Sequence, residues 1–222
     1  MQIEKKQIAY NRVARSGAIK YIVIHDTGNK SKGADADSHF RYFNGGNRNS
    51  SADFFVDDKT VLQVNDYTKY YTWHVGDGKG KYGITNQNSV GIEICVNADG
   101  NYDGAYAKAA ELTKYLMKQL GIGAERVVRH YDASRKKCPA SMSANNWALW
   151  EKFKQLIREE IKMAECKFTD ISGHYGEKQI REVFEMGIMN GVDETHFEPD
   201  KPVTRAQAAI IARNVVRYIT GK

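Results

Sequence analysis

Alternation of apolar and polar positions is clearest over residues 89–96. Val90, Ile92, Ile94 and Val96 share one face there, while Gly91, Glu93 and Cys95 share the other. A period of two over that length predicts a half-buried strand. The apolar run Ile22-Val23-Ile24 predicts a second strand over residues 19–25, closing on His25 and turning at Asp26-Thr27-Gly28-Asn29. Val127-Val128-Arg129-His130 reads as a third, over 127–130. Residues 51–56 and 60–64 read as a hairpin turning at Asp57-Asp58-Lys59.

Helical spacing marks the intervening segments. Residues 34–43 carry a short helical pattern that Asn44-Gly45-Gly46-Asn47 breaks. Residues 106–120 form an amphipathic helix stopped by Gly121 and Gly123, and residues 145–165 another, with Trp147, Trp150, Phe153 and Ile157 on its buried stripe. Between them, residues 75–88 make a glycine-rich connection, long enough to read as functional. The fold class is therefore α/β, a central mixed β-sheet flanked by helices. A boundary falls near residues 164–167, giving one domain over 1–163 and a small helical one over 167–222. Its helices are expected at 177–186 and 204–218, the second capped by Thr204. So small a core implies leaning on the first domain or on copies of itself.

Composition narrows the class. With 41% hydrophobic and 27% charged residues among 222, the chain is neither disordered nor fibrous. No apolar run reaches the ~20 residues of a membrane span. The first residues carry no apolar segment behind their lysines, so synthesis in the cytoplasm without a signal peptide is expected, with action outside after release. Cys95, Cys138 and Cys166 have no disulfide-framework spacing, which suits a reduced compartment and a ligand role for one of them. The last 57 residues hold eight basic and eight acidic groups, so the net charge of +6 sits in residues 1–165. A basic body suits a polyanionic surface such as a bacterial wall, and no nucleic-acid motif accompanies it.

Candidate chemistry lies at the strand exits. His25, His130 and Cys138 supply two imidazoles and a thiolate. Three protein ligands are what a catalytic zinc needs, because the fourth position stays open for water. Glu93, mid-strand between apolar neighbours, is costly unless paired or facing a wet cleft; in such a cleft it is the candidate proton acceptor. An exposed strand glutamate is the competing reading. Lys136 is the candidate oxyanion stabiliser, with Arg135 and Lys137 read as a solvated basic loop. His74 reads equally as a substrate contact or a structural residue, and His39 as a helix-surface residue. His174 and His196 fall outside this domain.

Residues 18–161 resemble the type 2 N-acetylmuramoyl-L-alanine amidases, whose fold peptidoglycan recognition proteins share. The matching stretches are Ile22 through Thr27, Ser51 through Asp57, Trp73-His74-Val75-Gly76, Asn88 through Cys95, and His130 through Cys138-Pro139. The resemblance implies Zn²⁺ at His25, His130 and Cys138, a catalytic carboxylate at Glu93 as in the endolysin branch, and a role for Lys136. Some phage amidases place a catalytic tyrosine where this chain has Ala52, but those lack the glutamate. Residues 167–222 resemble a single S-layer homology motif, through Phe168-Thr169-Asp170, His174-Tyr175, Gly187 through Gly191, Phe197-Glu198-Pro199 and Val203 through Gln207. Such modules bind secondary wall polysaccharides of Gram-positive bacteria. Asp170, Tyr175 and Arg205 are the implied contacts, the last because a guanidinium fork suits an acidic sugar. Gln207 departs from the usual glutamate, and one copy stands where three are common.

The expected function is an endolysin cleaving the amide between N-acetylmuramic acid and L-alanine by zinc-activated water. Peptidoglycan and a wall polysaccharide are the expected partners, without nucleic acid or membrane, and with self-association through the C-terminal domain. The alternatives are a non-catalytic peptidoglycan-recognition module, which typically loses the zinc cysteine, and a cytoplasmic muropeptide-recycling amidase.

Overall fold

A computed structural model describes residues 1–158 and 166–220; residues 159–165, the end of the helix expected over 145–165, and residues 221–222 lie outside the described residues. The chain forms two compact units, the first over Ile3–Arg158. Its sheet has six strands: β1 (Glu4–Lys5), β3 (Tyr21–Asp26), β4 (Phe54–Val56), β5 (Val61–Gln63), β7 (Ser89–Ile94) and β8 (Val127–Arg129). They lie in the order β1-β5-β4-β7-β3-β8, and β2 (Arg12–Ala14) pairs separately with β6 (Tyr70–Thr72). Only β4 and β5 run antiparallel in the main sheet, as the expected hairpin does; the other pairings are parallel.

The sheet has two faces with different work. Ile22, Ile24, Phe54, Val56, Val90, Ile92 and Ile94 point to the helix side, where they form one buried core with α2 (Tyr102–Leu120) and α4 (Ala144–Arg158). In α2, Ala105, Ala109, Leu112 and Leu116 recur at helical spacing and are all buried. Asn101 caps its start by accepting from the Gly104 N–H, and Gly121 ends it at φ 62°, a conformation glycine adopts without strain. From α4, Trp150 stacks on Phe153 at 5.7 Å, and Tyr106 of α2 donates its hydroxyl to the Leu149 carbonyl at 3.0 Å. Asn145, Asn146 and Trp147 are left-handed, so the regular part of α4 begins after them.

The opposite face carries the polar exceptions. Register places Phe55 of β4, Glu93 of β7 and His25 of β3 side by side in one row across three strands. The helix α1 (Ala36–Asn44) starts at Asp35, whose carboxylate accepts from the Ser38 N–H at 2.8 Å, and Gly45 closes it. His130 was expected to close a strand; it is instead the first residue of a short helix, α3 (His130–Ser134), because Asp132 accepts from the Arg129 N–H and caps the turn.

In the second unit, Phe168, Ile171 and Ile180 make a small core with Phe184 and Phe197 against it. Its helices are α5 (Glu177–Glu185) and α6 (Arg205–Thr220). Thr204 caps α6 as expected. Its hydroxyl accepts from the Gln207 N–H at 3.2 Å, and the Gln207 side chain accepts from the Thr204 N–H at 2.8 Å. Among the described residues no helix is long and apolar enough to cross a membrane.

Candidate metal centre

β3 delivers His25, the first turn of α3 delivers His130, and the following loop returns Cys138 to them. All three side chains are buried. His25 Nδ1 lies 3.1 Å from His130 Nδ1 and 3.8 Å from Cys138 Sγ, and the three donor atoms sit within 4.8 Å of one another. The sequence-expected ligand set is thus assembled in one place.

Outer partners decide which nitrogens are free. Ser89 donates its hydroxyl to the Thr85 carbonyl at 2.5 Å, so it accepts at 3.1 Å from His74 Nε2. With its proton there, His74 Nδ1 is an acceptor, and His25 Nε2 donates to it at 3.0 Å. The lone pair of His25 therefore sits on Nδ1, facing the site. His130 Nε2 donates to Asp77 at 2.8 Å, while Ser134 donates to the other oxygen of that carboxylate at 3.0 Å. His130 Nδ1 is then a lone pair too. Two ring acceptors 3.1 Å apart with no proton between them repel, and a cation bonded to both relieves that.

Electrostatics agree. Burial, followed by the neighbouring His74, His130 and Lys136, holds His25 well below its usual range. Burial also lowers His130 and takes His74 to about 3. Neutral imidazoles are the ligating form. Burial pushes the Cys138 thiol up, with Glu93 adding to it; a bound cation reverses that balance by stabilising the thiolate. The donor set, its protonation and its outer partners therefore fit a metal ion, with His25, His130 and Cys138 as the residues that would hold it.

Glu93 stands beside them. Its Oε1 lies 3.8 Å from His25 Nδ1, and its Oε2 is buried with no hydrogen-bond partner. Burial, then the nearby Asp26, raises its carboxyl to about 8, while Lys136 pulls it back. Glu93 and Lys136 line, with the triad, one cavity of about 410 Å³. Arg135 lies outside that lining, its guanidinium over the Tyr82 ring at 4.1 Å.

Two sequence expectations change. His74 was read equally as a substrate contact or a structural residue; it lines the same cavity, and both its ring nitrogens are engaged, by His25 and Ser89, so that it orients the His25 ring. His39 was read as a surface residue; it lines the cavity, its ring stacked on Phe55 at 5.2 Å and 11°. Asp77, Ser89, Gly78 and Gly91 were not singled out. A Cβ on Gly91 would come within 2.7 Å of the His74 ring, and one on Gly78 within 2.2 Å of the Ala133 carbonyl oxygen. The glycine-rich loop flagged in the sequence holds Asp77 and Gly78, which is the signal that could have found them.

In the second unit, Asp170 accepts from the Phe197 and Glu198 N–H groups at 3.0 and 2.7 Å, so its carboxylate braces a loop. Tyr175 is 92% exposed, with His174 packed against its ring at 4.3 Å, and Arg205 is exposed at the start of α6.

Comparison with known proteins places these features. The N-acetylmuramoyl-L-alanine amidase profile matches residues 15–141, and the S-layer homology domain profile matches residues 167–209. The chain is 40% identical over 132 residues to the N-acetylmuramoyl-L-alanine amidase CwlH of Bacillus subtilis (strain 168), covering 60% of this chain and 52% of CwlH. The solved catalytic domain of XlyA superposes with a TM-score of 0.63 at 37% identity, over 71% of this chain and 99% of that domain. A mutant endolysin from Bacillus subtilis also gives 0.63, at 40% identity, over 70% of this chain and 97% of that one. The chain spans about half the length of the curated relatives it matches. The amidase profile falls within the first unit, and the chain belongs to the N-acetylmuramoyl-L-alanine amidase family, with an S-layer homology domain following.

Proposed function

We propose that the chain is a zinc-dependent peptidoglycan hydrolase of the endolysin type, cleaving the amide between the lactyl group of N-acetylmuramic acid and L-alanine. The observation that carries this reading is the partnerless, buried Glu93 Oε2 beside three convergent donors on one cavity wall. Zinc held by His25, His130 and Cys138 supplies Lewis-acid polarisation of water and of the scissile carbonyl. Glu93 takes the proton of the attacking water and returns it to the departing L-alanine nitrogen, leaving a lactyl carboxylate and a free amine. Lys136 faces the developing oxyanion. His74 and Asp77 hold the two imidazoles in their ligating tautomers.

Residues 167–222 act as a wall-polysaccharide anchor. Tyr175 offers an exposed ring to a sugar and Arg205 a fork to an acidic substituent, while Asp170 holds the loop that follows. Retention of Cys138 and Glu93 favours catalysis over mere recognition, and the second domain favours an action at the wall over muropeptide recycling. Mass spectrometry of digested walls tests the reaction. New L-alanine amino termini without new reducing sugars are expected; reducing ends, or no cleavage by the zinc-loaded protein, overturn it.

A further inference from the structure

The cavity has a second wall whose polar atoms the hydrolytic steps leave idle. His39 of α1 and Thr27, just beyond β3, both line it. His39 Nε2 and Thr27 Oγ1 are buried and have no hydrogen-bond partner. The His39 ring is fixed, stacked nearly parallel on Phe55. Burial disfavours the charged ring, against the pull of Asp35. Thr27 is held by its own N–H, which donates to the Ile94 carbonyl at 3.0 Å.

Buried polar atoms without partners are costly and are satisfied when a ligand brings complementary groups. A ring nitrogen on one residue and a hydroxyl on another complement a peptide unit, which offers an N–H and a carbonyl together. Distance fits as well. Phe55 is the register neighbour of Glu93, and His39 stacks on Phe55, so His39 lies within about three residues of extended peptide from the reacting centre.

We propose that His39 Nε2, with the Thr27 hydroxyl, receives a backbone amide of the stem peptide and so fixes the substrate on the α1 side of the cleft. The proposal rests on the amidase reading and adds a specificity contact to it. His39 is then a binding residue that recognises peptide length, and it takes no part in proton transfer.

Steady-state kinetics of the zinc-loaded full chain on muramoyl pentapeptide and on muramoyl-L-alanine test it. His39→Phe keeps an aromatic ring on Phe55 and removes the ring nitrogen. Its KM for the pentapeptide should rise about tenfold with kcat within about twofold, the size of one lost hydrogen bond. The penalty should vanish on muramoyl-L-alanine, and His39→Gln, which restores a polar side chain, should recover most of the loss. An unchanged KM on the pentapeptide overturns the proposal, as does a loss confined to kcat or one equally large on muramoyl-L-alanine. A penalty that follows added sugar residues assigns the ring nitrogen to a glycan hydroxyl and overturns the peptide assignment. If His39→Phe loses its cooperative thermal transition, Thr27→Val, of matched volume, is read by the same criteria. A wild-type protein that releases no L-alanine termini fails the amidase reading itself; neutral variants of an active enzyme remove only this subsite.

Discussion

His74 Nδ1 stands 3.0 Å from His25 Nε2, and this contact leaves Nδ1 of His25 as the free lone pair of the ring. Losing it should loosen the metal without touching a ligand. His74→Ala is expected to weaken zinc binding about 10- to 100-fold. His74→Asn, whose amide oxygen can stand near the lost Nδ1, should retain more. Chelator competition reads both, and an alanine variant that holds zinc as tightly as wild type would remove His74 from this role.

Glu93 separates chemistry from assembly. Glu93→Gln should keep one zinc per chain and an unchanged melting temperature while turnover falls about 10²- to 10⁴-fold. Normal lysis of walls by this variant would show that the proton passes through another group.

The backbone approach at Gly78 is the tightest near the site. An alanine there would set its Cβ 2.2 Å from the Ala133 oxygen, and backbone cannot swing aside as a flexible side chain can. Separating the two segments carries Asp77 away from His130. Gly78→Ala should destabilise the fold by about 1–3 kcal/mol and weaken zinc binding. Wild-type values for both would mean that the loop relaxes freely.

Asp53 gives a pH dependence with a definite sign. Burial raises its carboxyl from 3.8 to about 6, against hydrogen bonds from the Gly91 N–H and the Asn65 amide. Its folded form therefore binds more protons than its unfolded form between about pH 4 and pH 6. The stability it contributes is complete below about pH 4 and is lost as pH rises through about 6, by about 3 kcal/mol in all. Urea midpoints of the metal-free protein should fall more steeply over that range than those of Asp53→Asn. Parallel curves would count against the assignment.

Removal of residues 167–222 should lower co-sedimentation with whole walls and leave turnover of soluble muropeptides intact. Equal loss of both activities would make the second unit a folding element and end its reading as an anchor.

What the sequence made legible was whatever repeats or stands out by type. The strand through Ile92 announced itself by alternation and the one through Ile24 by its apolar run, and His25, His130, Cys138 and Glu93 were conspicuous by residue type. The short strands β1, β2 and β6 escaped, because two or three residues make no period and their pairing depends on distant partners. Asp77 and Ser89 escaped for another reason. A polar residue whose work is to orient a histidine more than a dozen positions away leaves no local mark. His39 looked like any polar residue on a short helix until its stacking on Phe55 was seen.

The row Phe55–Glu93–His25 has a consequence for how this chain can change over time. Because neighbouring residues on a strand face opposite sides, mutational tolerance along β3 and β7 should alternate with a period of two. Exchanges of similar volume should survive at Ile22, Ile24, Val90 and Ile92, where only packing is at stake, and few should survive at His25, Gly91 or Glu93. Deleting a single codon within either strand would turn its cleft-facing residue into the oily side of the sheet and its packing residues toward the cleft. Such strands can drift by substitution yet are closed to insertion and deletion, so length variation among descendants should collect in the loops, and the reading frame of these two strands should be the last thing this lineage alters.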